Sequence, residues 1–145
     1  MTRDDEGTAI VEFVWLSVLL LIPLVYVVLG VFEVQRTALA ASTAARSAGR
    51  AFLTAPSEAT ARGRAEQAAR LAFADQGIGG APVQVSTLCR PNPANCLAPG
   101  SVVSITVKSS VALPLFPQIL GDATPRISVE SSHSAPYGTY REDRP

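Results

Sequence analysis

Phe13–Phe32 reads FVWLSVLLLIPLVYVVLGVF, twenty residues without a single charge. Fifteen of them are Leu, Ile, Val or Phe. At roughly −0.3 to −0.6 kcal/mol each on the insertion scale, these outweigh the helix-weakening Ser17, Pro23 and Gly30. A helix of this length rises about 30 Å, the thickness of the hydrocarbon core. Pro23 predicts a kink rather than a break, because inside a bilayer the backbone has no better partner than itself. A cleaved secretory signal fits less well. The run exceeds the usual h-region of about 7–15 residues, and no small-x-small cleavage site follows it directly. A buried helix of a soluble domain also fits less well, since a chain of 145 residues scarcely encloses one. The segment reads as a membrane span.

Working outward, the balance of charge changes at its end. Residues 1–35 carry one basic residue, Arg3, against five acidic ones: Asp4, Asp5, Glu6, Glu12 and Glu33. Residues 36–145 hold the other eleven basic groups and seven acidic ones, so the whole chain is neutral. Nothing in that total announces a nucleic-acid partner. The length holds one small domain and excludes a two-domain enzyme. Lys108 is the only lysine beside eleven arginines. With abundant alanine, that is the residue usage of GC-rich codons, and points to a bacterium.

In front of the span lies a short charged leader ending in Gly7, followed by Thr8-Ala9-Ile10-Val11-Glu12-Phe13. The glutamate stands at the fifth position after the glycine. Glycine has no Cβ, so its backbone can extend into a narrow peptidase groove. A cut there leaves an ammonium on Thr8. Glu12 lies one helical turn further into the apolar segment, where a lone carboxylate is costly. The helix N-terminus and an ammonium, its own or a neighbouring subunit's, are its natural compensations. A glutamate that snorkels to the headgroups at an ordinary span end is the plainer reading.

This pattern resembles the processing site of type IV prepilins and pseudopilins. The wider stretch, with its Val-Glu-Phe start, Glu33-Val-Gln-Arg36 exit and Ala-Ala-Arg46 to Gly-Arg50-Ala repeat, is similar to the TadE-like family of pseudopilins from the tight-adherence pilus machinery. The likeness covers about residues 7–53, and the rest of the chain matches only in general build. It implies cleavage between Gly7 and Thr8 by a membrane prepilin peptidase at the cytoplasmic face, and a subunit-pairing role for Glu12. It further implies other pseudopilins and the inner-membrane pilus platform as partners, no cofactor, and no enzymatic activity. The leader departs from the family pattern, with Asp4, Asp5 and Glu6 against Arg3 where prepilins usually carry Lys or Arg.

Orientation is read from opposing signals. Arg36, Arg46 and Arg50 after the span outnumber Arg3 before it, which taken literally puts the C-terminal part in the cytoplasm. Cys89 and Cys96 are spaced for a short disulfide across a segment containing Pro91 and Pro93, and disulfides persist outside the cytoplasm. Two free thiols remain an alternative. A metal site is disfavoured because His133 is the only histidine. The cleavage motif decides for a cytoplasmic N-terminus and an extracytoplasmic domain.

Helical patterning continues past the span, and a helix from Thr8 to Phe52 is about 67 Å long. Its small residues form two seams, Ala38-Ser42-Ala45-Gly49 and Ala41-Ala45-Ala48-Phe52, that suit close packing on the chain's own domain or on a partner. After Pro56, Ser57 is the expected N-cap of an amphipathic second helix. That helix has Ala61, Ala65, Ala68, Ala72, Leu71 and Phe73 inward, Arg62, Glu66 and Arg70 outward, and an end at Gly77–Gly80. Its arginines read as a solvated face. Three strands follow: one through Val83 and Val85, one over Ser101–Leu113, and one from Ile127 towards His133. Leu113, Leu115, Phe116, Ile119 and Leu120 are expected as core or as a contact patch, and Gly121-Asp122 as a turn. The fold class is α+β, with a long N-terminal transmembrane and stalk helix, a second helix packed on it, and a small antiparallel sheet of about three strands. The expected divisions are a leader at 1–7, a transmembrane segment at 8–32, an extracytoplasmic domain at 33–135 and a flexible tail at 136–145.

Ser132-His133-Ser134 is the one hint of a nucleophile. It lacks a nucleophile elbow and an orienting acid, and neighbours on a strand point to opposite faces, so a surface histidine is expected. An unprocessed, membrane-anchored binding or sensor module is the alternative to a pseudopilin, and the mass of the N-terminus separates the two.

Overall fold

A computed structural model describes residues 6–112 and 126–144. The apolar, alanine-rich sequence from Glu6 onward forms one unbroken helix, α1 (Glu6–Leu53), of 48 residues, which passes through Pro23 without ending. From Ala9 to Phe32 every residue but Gly30 is exposed. That half of α1 is long and apolar enough to cross a membrane. The other half is the spine of the domain. Thr37, Ala40, Ala41, Ala44, Ala45, Ala48 and Phe52 are all buried, a stripe at spacings of three and four. The second of the two seams is thus used whole. Of the first, Ala45 and Gly49 are buried, whereas Ala38 is exposed and Ser42 half-buried.

The chain turns at Thr54–Ser57 and returns as α2 (Glu58–Asp75). Ser57 takes the N-cap position with an extended backbone, but its hydroxyl lies 3.4 Å from Thr60 Oγ1 and caps no amide. The buried face of α2 is Ala61, Ala65, Ala69, Ala72 and Phe73. Two expectations fail here. Ala69, not Ala68, completes the stripe, and Leu71 is 63% exposed. The helix meets α1 on one side and the sheet on the other, so its buried arc turns towards both and away from Leu71. Alanine on both helices lets the axes approach to about 8 Å, the short end of the usual range.

After α2 come β1 (Val83–Arg90), β2 (Val102–Ala112) and β3 (Arg126–Pro136). They form an antiparallel sheet in the order β1-β2-β3, the α+β arrangement expected from the sequence. Inward positions alternate with outward ones. Cys89, Val103, Ile105 and Val107 are buried beneath the helices, while Gln84, Leu88, Lys108 and Glu130 are exposed on the other face. α1 lies over β2 and β3, and α2 over β1. The large buried side chains are Tyr137, Phe52, Phe73, Leu97 and Ile105. At about 1.5–3 kcal/mol each, such groups carry most of the burial energy that the alanines cannot supply. The apolar segment Leu113–Leu120, the Gly121-Asp122 turn and the leader residues Met1–Asp5 lie outside the described residues.

Of residues 136–145, expected as a flexible tail, the described ones, 136–144, are held to the domain by several contacts. Pro136 belongs to β3, and Tyr137 is buried, its hydroxyl donating to the Glu142 carbonyl at 2.8 Å. Arg141 donates to the Leu53 carbonyl at 2.9 Å, which the end of α1 leaves without a helical partner, and Arg144 donates to the Ala55 carbonyl in the following turn at 3.1 Å. A polar composition suggested looseness, but one buried aromatic and two guanidiniums bound to backbone carbonyls outweigh it.

Candidate functional site

Two sets of residues carry chemistry, and the fold holds them at opposite ends of α1. The first is Gly7, Thr8 and Glu12. α1 begins at Glu6, so the Gly7–Thr8 peptide lies within its first turn. The backbone amides there have no helical acceptors, and the first turn is the easiest part of the helix to unwind. Glycine lowers the helix propensity further, by about 1 kcal/mol relative to alanine. Glu12 stands four residues after Thr8, one turn along the same face, with its side chain exposed to the surroundings of the helix. Between Glu12 and Glu33 no residue of α1 is charged.

The second set is Cys89 and Cys96, joined as a disulfide with Cα atoms 5.2 Å apart. Both are buried, beside Leu97 and under the C-terminal end of α1 in the same core cluster as Phe52, Ala55 and Tyr137. One side chain that sequence reasoning passed over secures this loop. Glu58, at the first turn of α2, accepts the Cys96 amide on Oε2 at 3.0 Å and binds Arg62 through Oε1 at 3.1 Å. Asn95 reaches across to Asp143 at 2.9 Å, linking loop and tail. A glutamate at a helix start looks like a dipole partner in sequence. Its second bond, 38 residues away, has no local signature.

The Ser132-His133-Ser134 triplet does not assemble. Ser132 and Ser134 are exposed on the outer sheet face, where Ser134 meets Ser104 at 2.8 Å between hydroxyls. His133, expected at the surface, is half-buried on the inner face against Gly49 of α1. Its strand position is inward by register, opposite Ile105. Among the described residues no three His, Cys, Asp or Glu side chains gather into a possible metal site. A shallow depression lined by Pro82, Gln84, Lys108, Ser109, Ser110 and Ser128 opens on the sheet, with Lys108 engaged by Glu130 at 3.1 Å. It holds no nucleophile–base pair. The described chain therefore presents a helix first turn that contains Gly7 and Thr8, a carboxylate at the start of an apolar helix and a disulfide-closed tip. Comparisons with protein-family models, with curated proteins and with solved structures find no match to this chain.

Proposed function

We propose that this chain is a single-span, TadE-like pseudopilin of a bacterial cell membrane. In this reading the N-terminus is cytoplasmic and the domain extracytoplasmic, and the protein is a non-enzymatic component assisting assembly of a tight-adherence pilus or a related secretion apparatus. A prepilin peptidase cuts between Gly7 and Thr8. Other pseudopilins and the inner-membrane platform are its partners, and the lipid bilayer is its solvent along Ala9–Phe32. The observation that carries the proposal is the Gly7/Glu12 pattern at the mouth of an exposed apolar helix that continues unbroken into the domain. The Cys89–Cys96 disulfide supports an oxidising location for the domain. The acidic leader favours one rival, an unprocessed membrane-anchored binding or sensor module.

Two variants separate processing from assembly. Gly7→Val keeps the chain at full length, because a β-branched side chain resists extension in a tight groove. Glu12→Val is cut normally, since it lies away from the scissile bond, and its span inserts slightly better for having lost a charge. Its defect appears in association with partner subunits, measured by cross-linking. An unpaired ammonium or carboxylate at the membrane edge costs a few kcal/mol, lowering association about a hundredfold. Shortening of Gly7→Val at Thr8 defeats the peptidase assignment. Unimpaired association of Glu12→Val defeats the pairing role.

A further inference from the structure

We propose that the end of the β2–β3 ribbon is a second lipid contact, seated in the phospholipid headgroup layer beside α1. The proposal rests on the reading that α1 spans a bilayer. Its basis is the level at which the domain meets that helix. The domain-facing stripe of α1 runs down to Thr37, which is buried, and Glu33 and Val34 one turn before it are half-buried, directly after the uncharged run ends at Phe32. Domain and membrane segments therefore adjoin, with no spacer between them.

The direction of β3 fixes which end of the sheet faces the membrane. His133 lies against Gly49, and the residues after β3 reach the end of α1, with Arg141 on the Leu53 carbonyl and Arg144 on that of Ala55. β3 thus runs in the same sense as α1, and Arg126 at its start lies towards the span. The seven residues from Arg126 to His133 cover about 23 Å of strand, the rise of about 15 helical residues. Counted back from Gly49, that reaches the turn between Glu33 and Thr37, allowing for the tilt of the strand. The end of α2 comes to the same level, because Arg36 Nε donates to the Gln76 carbonyl at 2.8 Å.

The ribbon also projects. β1 pairs with β2 only as far as Val83 opposite Ser109, while β2 and β3 continue through Val111 opposite Ile127 to Ala112 opposite Arg126. Three further residues extend it by about 10 Å. At that end Ile127 is 39% exposed, Val111 is half-buried, and Ala112 and Arg126 are exposed. The headgroup layer is about 5–7 Å thick on each side of the hydrocarbon, the rise of four or five helical residues. Beyond Phe32 that interval is the Glu33–Arg36 turn. An isoleucine at glycerol depth and an exposed arginine at phosphate depth suit that layer.

Fluorescence quenching tests it on the full chain in phosphatidylcholine–phosphatidylglycerol vesicles whose acyl chains are brominated near the glycerol. Trp15 is the only tryptophan, so the parent protein reports on the span. In a Trp15→Phe background, Ile127→Trp and, separately, Ala112→Trp report on the ribbon. Ala112 is exposed, so its variant keeps the test open should Ile127→Trp misfold. Leu88→Trp, on the outer face near the far end of β1, is the control. The expected result is loss of most ribbon-probe emission in brominated vesicles, with the Leu88→Trp signal unchanged. Quenching of Trp15 with no quenching of either ribbon probe overturns the lipid contact and leaves the span standing. The same holds if the ribbon probes are shielded by a protein yet insensitive to bromine. An unquenched Trp15 overturns the span and the ribbon contact together.

Discussion

Gly49 is the residue at which sequence and structure say the most different things. In the sequence it is one member of a small-residue seam. In the fold it is the point where the sheet reaches α1, and a Cβ built there lies 3.1 Å from His133 Cδ2. One methyl group already asks the histidine to give way by a few tenths of an ångström. Gly49→Leu demands far more and is expected to destabilise the domain by about 1–3 kcal/mol through overpacking. Urea or thermal unfolding in detergent measures it. Adding His133→Ala should recover part of the loss, since the two side chains share one space. Equal stability of Gly49→Leu and the parent would show that the sheet does not lie against this turn. The need for a small residue here was legible, because the seam's period is local. Its partner was not, since His133 is 84 residues away: the alternation from Ile127 and Val129 gives its face but not the helix turn it meets.

At the scale of elements, helices read better than their faces. The long apolar run, the Pro56 interruption and the alternation around Val103, Ile105 and Val107 depend on periods of 3.6 and 2, which a sequence displays directly. The choice of Ala69 over Ala68, and the exposure of Leu71, depend on where α1 and the sheet sit around α2. Composition carries no such angle. The tail misled for the same reason: Tyr137, Arg141 and Arg144 find their partners only once the end of α1 is in place. The disulfide is the strongest link at that end. It closes a loop of seven-residue separation, worth about 2.5 kcal/mol on the chain-entropy model. Cys89→Ser with Cys96→Ser is expected to lower the unfolding free energy by that amount in urea titrations. It should also loosen residues 137–144, seen as faster amide exchange at Tyr137. Unchanged stability and exchange would mean that Glu58 and the tail hold the tip without the bridge.

The whole molecule is a helix with two environments. Its first half exposes apolar side chains throughout, and its second half is buried under a sheet, with the change falling between Gly30 and Thr37. The sequence displayed that division through its charges and through the end of the uncharged run. The orientation across a membrane was less legible, because Arg36, Arg46 and Arg50 argue against the cysteines. In the fold Arg36 is engaged with the Gln76 carbonyl and with Glu33 at 4.0 Å, so it acts as a clasp between α1 and α2. A C-terminal reporter that matures only in an oxidising compartment is expected to be active. Activity confined to a cytoplasmic reporter would reverse the topology.

The proposed function depends most on an event at the other end of the chain. Cleavage requires the first turn of α1 to open at Gly7 and leaves Thr8 as the new N-terminus one turn from Glu12. The intact mass and N-terminal sequence of the protein, purified from membranes of cells that contain a prepilin peptidase, measure this directly. The predicted result is a chain that begins at Thr8. A chain that keeps Arg3, Asp4, Asp5 and Glu6 would contradict it.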